Sequence, residues 1–118
     1  MSATRDERAA RFRALHDGPV FVIPNPWDAG SARVLAGLGF QALATSSAAS
    51  AATLGRKDGR LTRDDALAHA RSIVDATEVP VSADLERGFG DAPEVVAETI
   101  RLAAGAGLAG CTIEDATG

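Results

Sequence analysis

Two pairs of carboxylates, Asp84 with Glu86 and Glu114 with Asp115, stand where they could do chemistry, each directly after a short apolar run. Val79-Pro80-Val81 leads into the first pair and Gly88-Phe89-Gly90 follows it, the pattern of a buried strand whose carboxyl end opens into a loop. Side chains alternate along a strand, so Asp84 and Glu86 share a face if extended geometry persists that far. Carboxylates on one face repel unless they share a proton or a cation. At the mouth of an α/β fold, a divalent metal with hard oxygen ligands resolves that repulsion. A solvated acidic turn explains the same residues, and both readings stand at this point.

The elements that must position these groups follow from periodicity. Ala3 to His16 carries the stripe Ala9, Phe12, Leu15 and reads as a helix, ended by Asp17-Gly18-Pro19. Val20 to Ile23 reads as a first buried strand, stopped by Pro24-Asn25-Pro26. A helix runs from about Asp28 to Leu38 with Gly39 behind it. Gln41 to Thr45 is the second strand, followed by the small-residue run Ser46 to Ala52 and the polar loop Leu54 to Arg60. Thr62 and Asp65 form a capping box for a helix whose apolar positions run from Ala66 to Thr77. Asp91 with Glu94 is expected to cap the next helix in the same manner, with Val96, Ile100, Ala103 and Ala104 on its stripe. Gly105 to Gly107 ends it, and Gly110 to Ile113 is the fourth strand.

Strands alternating with helices imply a parallel sheet with right-handed crossovers. Chemistry in such folds gathers at the carboxyl ends of the strands. Each strand delivers polar residues there: Asn25 and Asp28, Ser46 and Ser47, Asp84 and Glu86, Glu114 and Asp115. Four segments agreeing on one rim favour a site over a chance acidic turn.

Composition narrows the function. A chain of 118 residues is one domain at most. Its 12 basic and 16 acidic residues leave a net charge of −4 with no basic stripe, which argues against nucleic acid as a partner. Lys57 is the one lysine and is poorly placed for Schiff-base chemistry. The lone Cys111 excludes an internal disulfide and a multi-cysteine zinc site, fits a reducing cytoplasm, and is expected to be a buried core thiol. The first 16 residues hold four arginines and two acids and lack the apolar core of a signal peptide, so a cytoplasmic protein without membrane contact is expected.

Other residues carry plainer expectations. His16 and His69 read as solvated helix residues, and Trp27 as packing beneath the first loop. Asp28 is as suited to cap the second helix as to touch a ligand. Arg56, Lys57 and Arg60 could steer anions toward Asp58 or simply be solvated. Gly88 and Gly90 serve the backbone turn rather than a phosphate.

Three stretches together resemble the isocitrate lyase/phosphoenolpyruvate mutase family: Asn25 to Ser47, Leu54 to Leu67, and Val79 to Asp91 followed by Ala106 to Asp115. The match covers nearly the whole chain after about Gly18, in the family's order. The resemblance implies a fold, the first half (about four β/α units) of a (β/α)8 barrel with an N-terminal helix, occupying residues 1–118. It implies an enzyme that makes or breaks a C–C or P–C bond of a small α-keto or hydroxy carboxylate through a pyruvate-like enolate. Asp84, Glu86, Asp58 and Glu114 match the carboxylates that hold Mg²⁺ (Mn²⁺ as a substitute), Asp84 most directly and the others largely through waters. Ser46, Ser47 and Ala48 match the segment that binds the substrate carboxylate. Two positions depart from the pattern: Ala44 stands where many members have an aromatic residue, and Glu86 where many have Asp.

A complete barrel needs about 250 residues, so the chain is expected to stop after strand four of a longer enzyme, itself a homo-oligomer. The lid loop with the proton-transfer residue would lie beyond Gly118, and Cys111 is not the lid cysteine of the lyases. The alternative is a non-catalytic half barrel that binds metal weakly or needs a partner chain.

Overall fold

Side-chain caps set most of the helix starts. The computed structural model describes residues 3–117, and in it α1 (Arg5–His16) opens on a capping box between Thr4 and Glu7. Asp28 and Ser31 do the same for α2 (Ala29–Gly37), and Thr62 and Asp65 for α4 (Arg63–Ala76). Asp28 therefore serves the helix, as one of its two expected roles required. The caps satisfy backbone N–H groups that the first turn of a helix leaves without partners.

Two starts differ from expectation. The run after Ser46 is a helix, α3 (Ser47–Thr53), whose cap is the Ser46 hydroxyl accepting from the Ala49 N–H at 3.3 Å. Alanine is the strongest helix former, but small residues leave no hydrophobic stripe to read. The helix after the acidic loop, α5 (Pro93–Gly105), is not capped by Asp91; its N-cap is Ala92 and no side chain bonds there. Proline at the first helical position has its φ preset and no N–H to satisfy, so the start moves on by one residue. Asp91 pairs with Arg87 at 3.0 Å instead.

The sheet is parallel in the order β1 (Leu43–Ala44), β2 (Val81–Asp84), β3 (Gly110–Thr112), with Leu43 opposite Val81 and Ser82 opposite Gly110. Its core gathers Leu43, Val81, Ala83 and Leu85 with Ile73 and Val74 of α4 and Ala103 of α5. On α5 the buried face is Thr99 and Ala103, whereas Ile100 is partly exposed. The strand expected at Val20 to Ile23 is not in the sheet. That segment meets β1 just beyond its end, where the Ala44 N–H donates to the Pro24 carbonyl at 3.1 Å and the Asn25 amide donates to the Ala44 carbonyl at 2.9 Å. Pro24 and Pro26 have no N–H for a ladder, and Val20 is fully exposed, so nothing covers the segment's outer face.

Helix α1 closes the amino end of the sheet, opposite the acidic rim. Arg8 is buried and donates to the Val74 carbonyl at the end of α4 at 3.0 Å. Arg11 donates to the Glu78 carbonyl at 2.7 Å. The Phe12 ring lies so close beneath Gly110 that a Cβ there would stand 2.9 Å from it. Among the described residues no helix is long and apolar enough to cross a membrane.

Candidate functional site

Asp84 ends β2, and its carboxylate is held by groups from two sides. Oδ2 accepts from the Ser47 N–H at 3.0 Å and from the Ser47 hydroxyl at 2.7 Å. Oδ1 accepts from the Glu86 N–H at 3.0 Å. A carboxylate offers about four lone-pair positions, so three are used and one on Oδ1 is left open. The backbone is fixed as well, the Asp84 N–H donating to the buried Thr45 hydroxyl at 3.1 Å. Parallel pairing of β1 with β2 is what brings Thr45 and Ser47 beside Asp84.

Glu86 does not continue the strand. Its φ is 52°, and Phe89 follows with 65° and Gly88 with 88°, so the shared face expected of extended geometry does not exist. The turn keeps Glu86 near Asp84 by another route, through the Glu86 N–H bond above. The Glu86 carbonyl in turn accepts from the Glu114 N–H at 2.7 Å, tying the end of β3 to the same loop. Gly88 and Gly90 allow the loop to lie directly on α5: a Cβ on Gly88 would stand 2.9 Å from the Val96 methyls, and one on Gly90 would strike Val95. Gly88 serves the turn through its positive φ as well as the packing, and Gly90 serves the packing. The Thr99 hydroxyl of α5 donates to the Gly88 carbonyl at 2.7 Å.

The Glu86 carboxyl is half-buried and its Oε2 is a buried oxygen without a hydrogen-bond partner. Burial pushes its pKa above the ordinary value, and the negative charges of Asp84, Asp58 and Glu114 push it in the same direction. Arg87 opposes them. The charges of the other three candidate carboxylates, from three separate loops, thus all reach Glu86. Asp58 and Glu114 are exposed. Ser46 is spent on capping α3, Ser47 on Asp84, and Ala48 is exposed in the first turn of α3.

The donor set fits a hard cation. It consists of carboxylate and hydroxyl oxygens, one of them buried and unpartnered. Among the described residues no three His, Cys, Asp or Glu side chains stand close enough to close on a bare ion. Mg²⁺ suits such a rim, because it keeps several waters and takes only one or two carboxylates directly. Cys111 is half-buried in β3, and desolvation raises its thiol pKa, so it offers no thiolate.

Residues near the rim depart in small ways from their expected roles. Trp27 does not pack beneath the loop; it is 55% exposed, and its carbonyl lies 2.7 Å from the His69 Nε2. His69 is therefore a half-buried link between α4 and the first loop rather than a freely solvated residue. His16 remains exposed, though its ring meets Phe12 and Phe21 edge-on, at 4.6 and 5.3 Å between centroids. Arg56 is ion-paired with Asp65 and so faces α4. The residues that sequence reasoning missed are Thr45 as the Asp84 anchor and Thr99 as the loop's partner. A Thr-Ser-Ser run at a strand end beside an acidic strand end was the available signal for the first. Nothing in the order of residues signals the second.

Comparison with known proteins follows the same outline. The family described as phosphoenolpyruvate phosphomutase matches residues 12–118. The 2,3-dimethylmalate lyase of Eubacterium barkeri is 41% identical over 110 residues, which cover 91% of this chain and 38% of that enzyme. A crystal structure from Burkholderia cenocepacia, described as a lyase/mutase, superimposes with a TM-score of 0.94 at 59% identity, over 97% of this chain and 42% of the other. A 2,3-dimethylmalate lyase crystal structure gives a TM-score of 0.85 at 34% identity, over 99% and 41%. The chain thus spans about two fifths of the length of the relatives it matches.

Proposed function

This chain belongs to the phosphoenolpyruvate mutase/isocitrate lyase family, and from that premise we propose that it is the metal-holding half of a Mg²⁺-dependent lyase or mutase. Residues 1–118 make up the first β/α units of the (β/α)8 barrel, and the proton-transfer residue lies outside them. The substrate is a small α-keto or hydroxy carboxylate whose C–C or P–C bond is made or broken next to a pyruvate-like enolate. The observation that carries this reading is the half-buried Glu86, whose Oε2 has no hydrogen-bond partner in the protein and whose carboxyl feels the charges of Asp84, Asp58 and Glu114.

In this reading Asp84 and Glu86 hold the cation, with Asp58 and Glu114 acting through its waters. Bound there, Mg²⁺ supplies a Lewis acid for negative charge developing on a substrate oxygen. Ser47 keeps Asp84 oriented so that the open lone pair of Oδ1 faces the rim. The Ser46 to Ala48 segment has the Ala48 N–H and the Ser46 hydroxyl proton left for the substrate carboxylate, since the cap uses only a lone pair of Ser46 and both donors of Ser47 are engaged by Asp84. Asp84 would therefore hold the cation that neutralises, and the serine segment would position the substrate.

Oxalate resembles a pyruvate enolate and tests the site without requiring turnover. Calorimetry is expected to show oxalate binding that depends on Mg²⁺, is lost in Asp84→Ala and is kept in Asp75→Ala. Asp75 is a suitable control because it is engaged with Arg71 at 3.1 Å on the surface of α4. No binding at millimolar oxalate and Mg²⁺ would sink the reading that this chain alone is functional.

A further inference from the structure

One fully buried side chain that none of these roles uses stands directly behind the acidic loop. Thr99 of α5 has 0% exposure, and its hydroxyl lies 2.7 Å from the Gly88 carbonyl and 3.1 Å from the Val95 carbonyl of its own helix. A hydroxyl has one proton to donate. The contact to a carbonyl four residues back is what a helical threonine commonly makes; the shorter contact, to the loop, is not.

The loop needs such an anchor. Glu86 and Phe89 are non-glycine residues with positive φ, on either side of Gly88. Backbone of this kind persists only where its surroundings over-determine it. Toward the rim, the Glu86 N–H is held by Asp84 at 3.0 Å and the Glu86 carbonyl by the Glu114 N–H at 2.7 Å. The Gly88 N–H returns to the Leu85 carbonyl at 2.9 Å. Toward α5, the loop rests on Val95 and Val96 by packing and on Thr99 by a hydrogen bond. Val95 and Val96 set how close the loop comes, and Thr99 sets where along the helix it stops.

We propose that Thr99 is a positioning residue for the cation site: by holding the Gly88 carbonyl it fixes the left-handed turn that aims the Glu86 carboxylate at Asp84. This rests on the reading that Asp84 and Glu86 hold a divalent cation. Thr99 touches neither cation nor substrate; it acts through the loop, as partners behind a metal ligand do.

Two measurements on the full-length protein test it. The first is Mn²⁺ affinity by electron paramagnetic resonance without substrate. The second is amide hydrogen exchange at Glu86 to Gly90 without metal. Thr99→Val keeps the shape and removes the hydroxyl. It is expected to weaken Mn²⁺ binding about tenfold, the lower end of the effect of losing such a partner, and to speed loop exchange while α4 stays unchanged. Thr99→Ser is expected to restore both, and Thr99→Ala replaces the valine variant should that one not fold. Wild-type affinity and loop exchange in Thr99→Val would overturn the proposal, as would faster exchange spread across the whole chain. If the wild type binds no Mn²⁺ at millimolar concentration, the cation reading fails. Loop exchange then decides the role of Thr99 alone.

Discussion

Glu86 is the residue at which sequence and structure part most informatively. Alternation along a strand correctly puts Asp84 at the rim but says nothing of the left-handed turn two residues later, because φ at a glutamate is set by tertiary bonds. Asp84, Glu86 and Glu114 could be read from their place after apolar runs, whereas Asp58, in a polar loop, came only from the family resemblance. Of the hydroxyls behind them, Thr45 had the Thr-Ser-Ser run as its signal, whereas Thr99 had none, since a buried threonine inside a helix looks like any other in the sequence. Glu86 also carries a pH signature. Its carboxyl titrates above the ordinary value in the folded chain, so the folded state holds that proton more tightly than the unfolded one. This term makes the metal-free protein most stable below the ordinary carboxylate range and weakens it as pH rises through the raised value. Urea midpoints taken from pH 4 to pH 7, roughly the window in which a raised carboxylate titrates, are expected to show this component in the wild type and not in Glu86→Gln. The same slope in both proteins would remove Glu86 from the cluster.

At the scale of elements, capping chemistry was the most legible feature, and one failure of it is as instructive as the successes. Thr62 with Asp65 and Asp91 with Glu94 look alike as sequence, yet only the first pair forms a capping box. Pro93 makes the difference by starting α5 without help. Thr62→Ala is expected to cost about 1 kcal/mol of stability, the usual value of such a cap. Asp91→Ala should cost no more than about 0.5 kcal/mol, since it removes an exposed ion pair. Equal losses in chemical denaturation would mean that Asp91 caps α5 after all. Helix α3 was illegible for the opposite reason: alanine and serine form helices well but give no periodic signal.

For the molecule as a whole, the parallel order could be read from the alternation of strands with helices, and three of the four expected strands form the sheet in that order. The membership of the first strand could not, because a strand is defined by its partner and Val20 to Ile23 has a free outer face. Among the described residues β3 pairs only with β2, leaving a row of backbone groups on its far side, and unpaired edges of this kind promote association. The β1 edge is covered in part, its Ala44 N–H and carbonyl being taken by Pro24 and Asn25. Val22 is 67% exposed beside the β1 edge. Val22→Lys is expected to shift the 118-residue chain toward monomer in light scattering, and an unchanged mass distribution would show that this edge is not where copies meet. The docking of α1 has a consequence in time. Its Arg8 waits for a carbonyl 66 residues downstream and its Phe12 for Gly110. At the roughly 5–20 residues per second of protein synthesis, several seconds pass between the appearance of α1 and that of these two partners. Throughout that interval Arg8 and Phe12 have no place to dock.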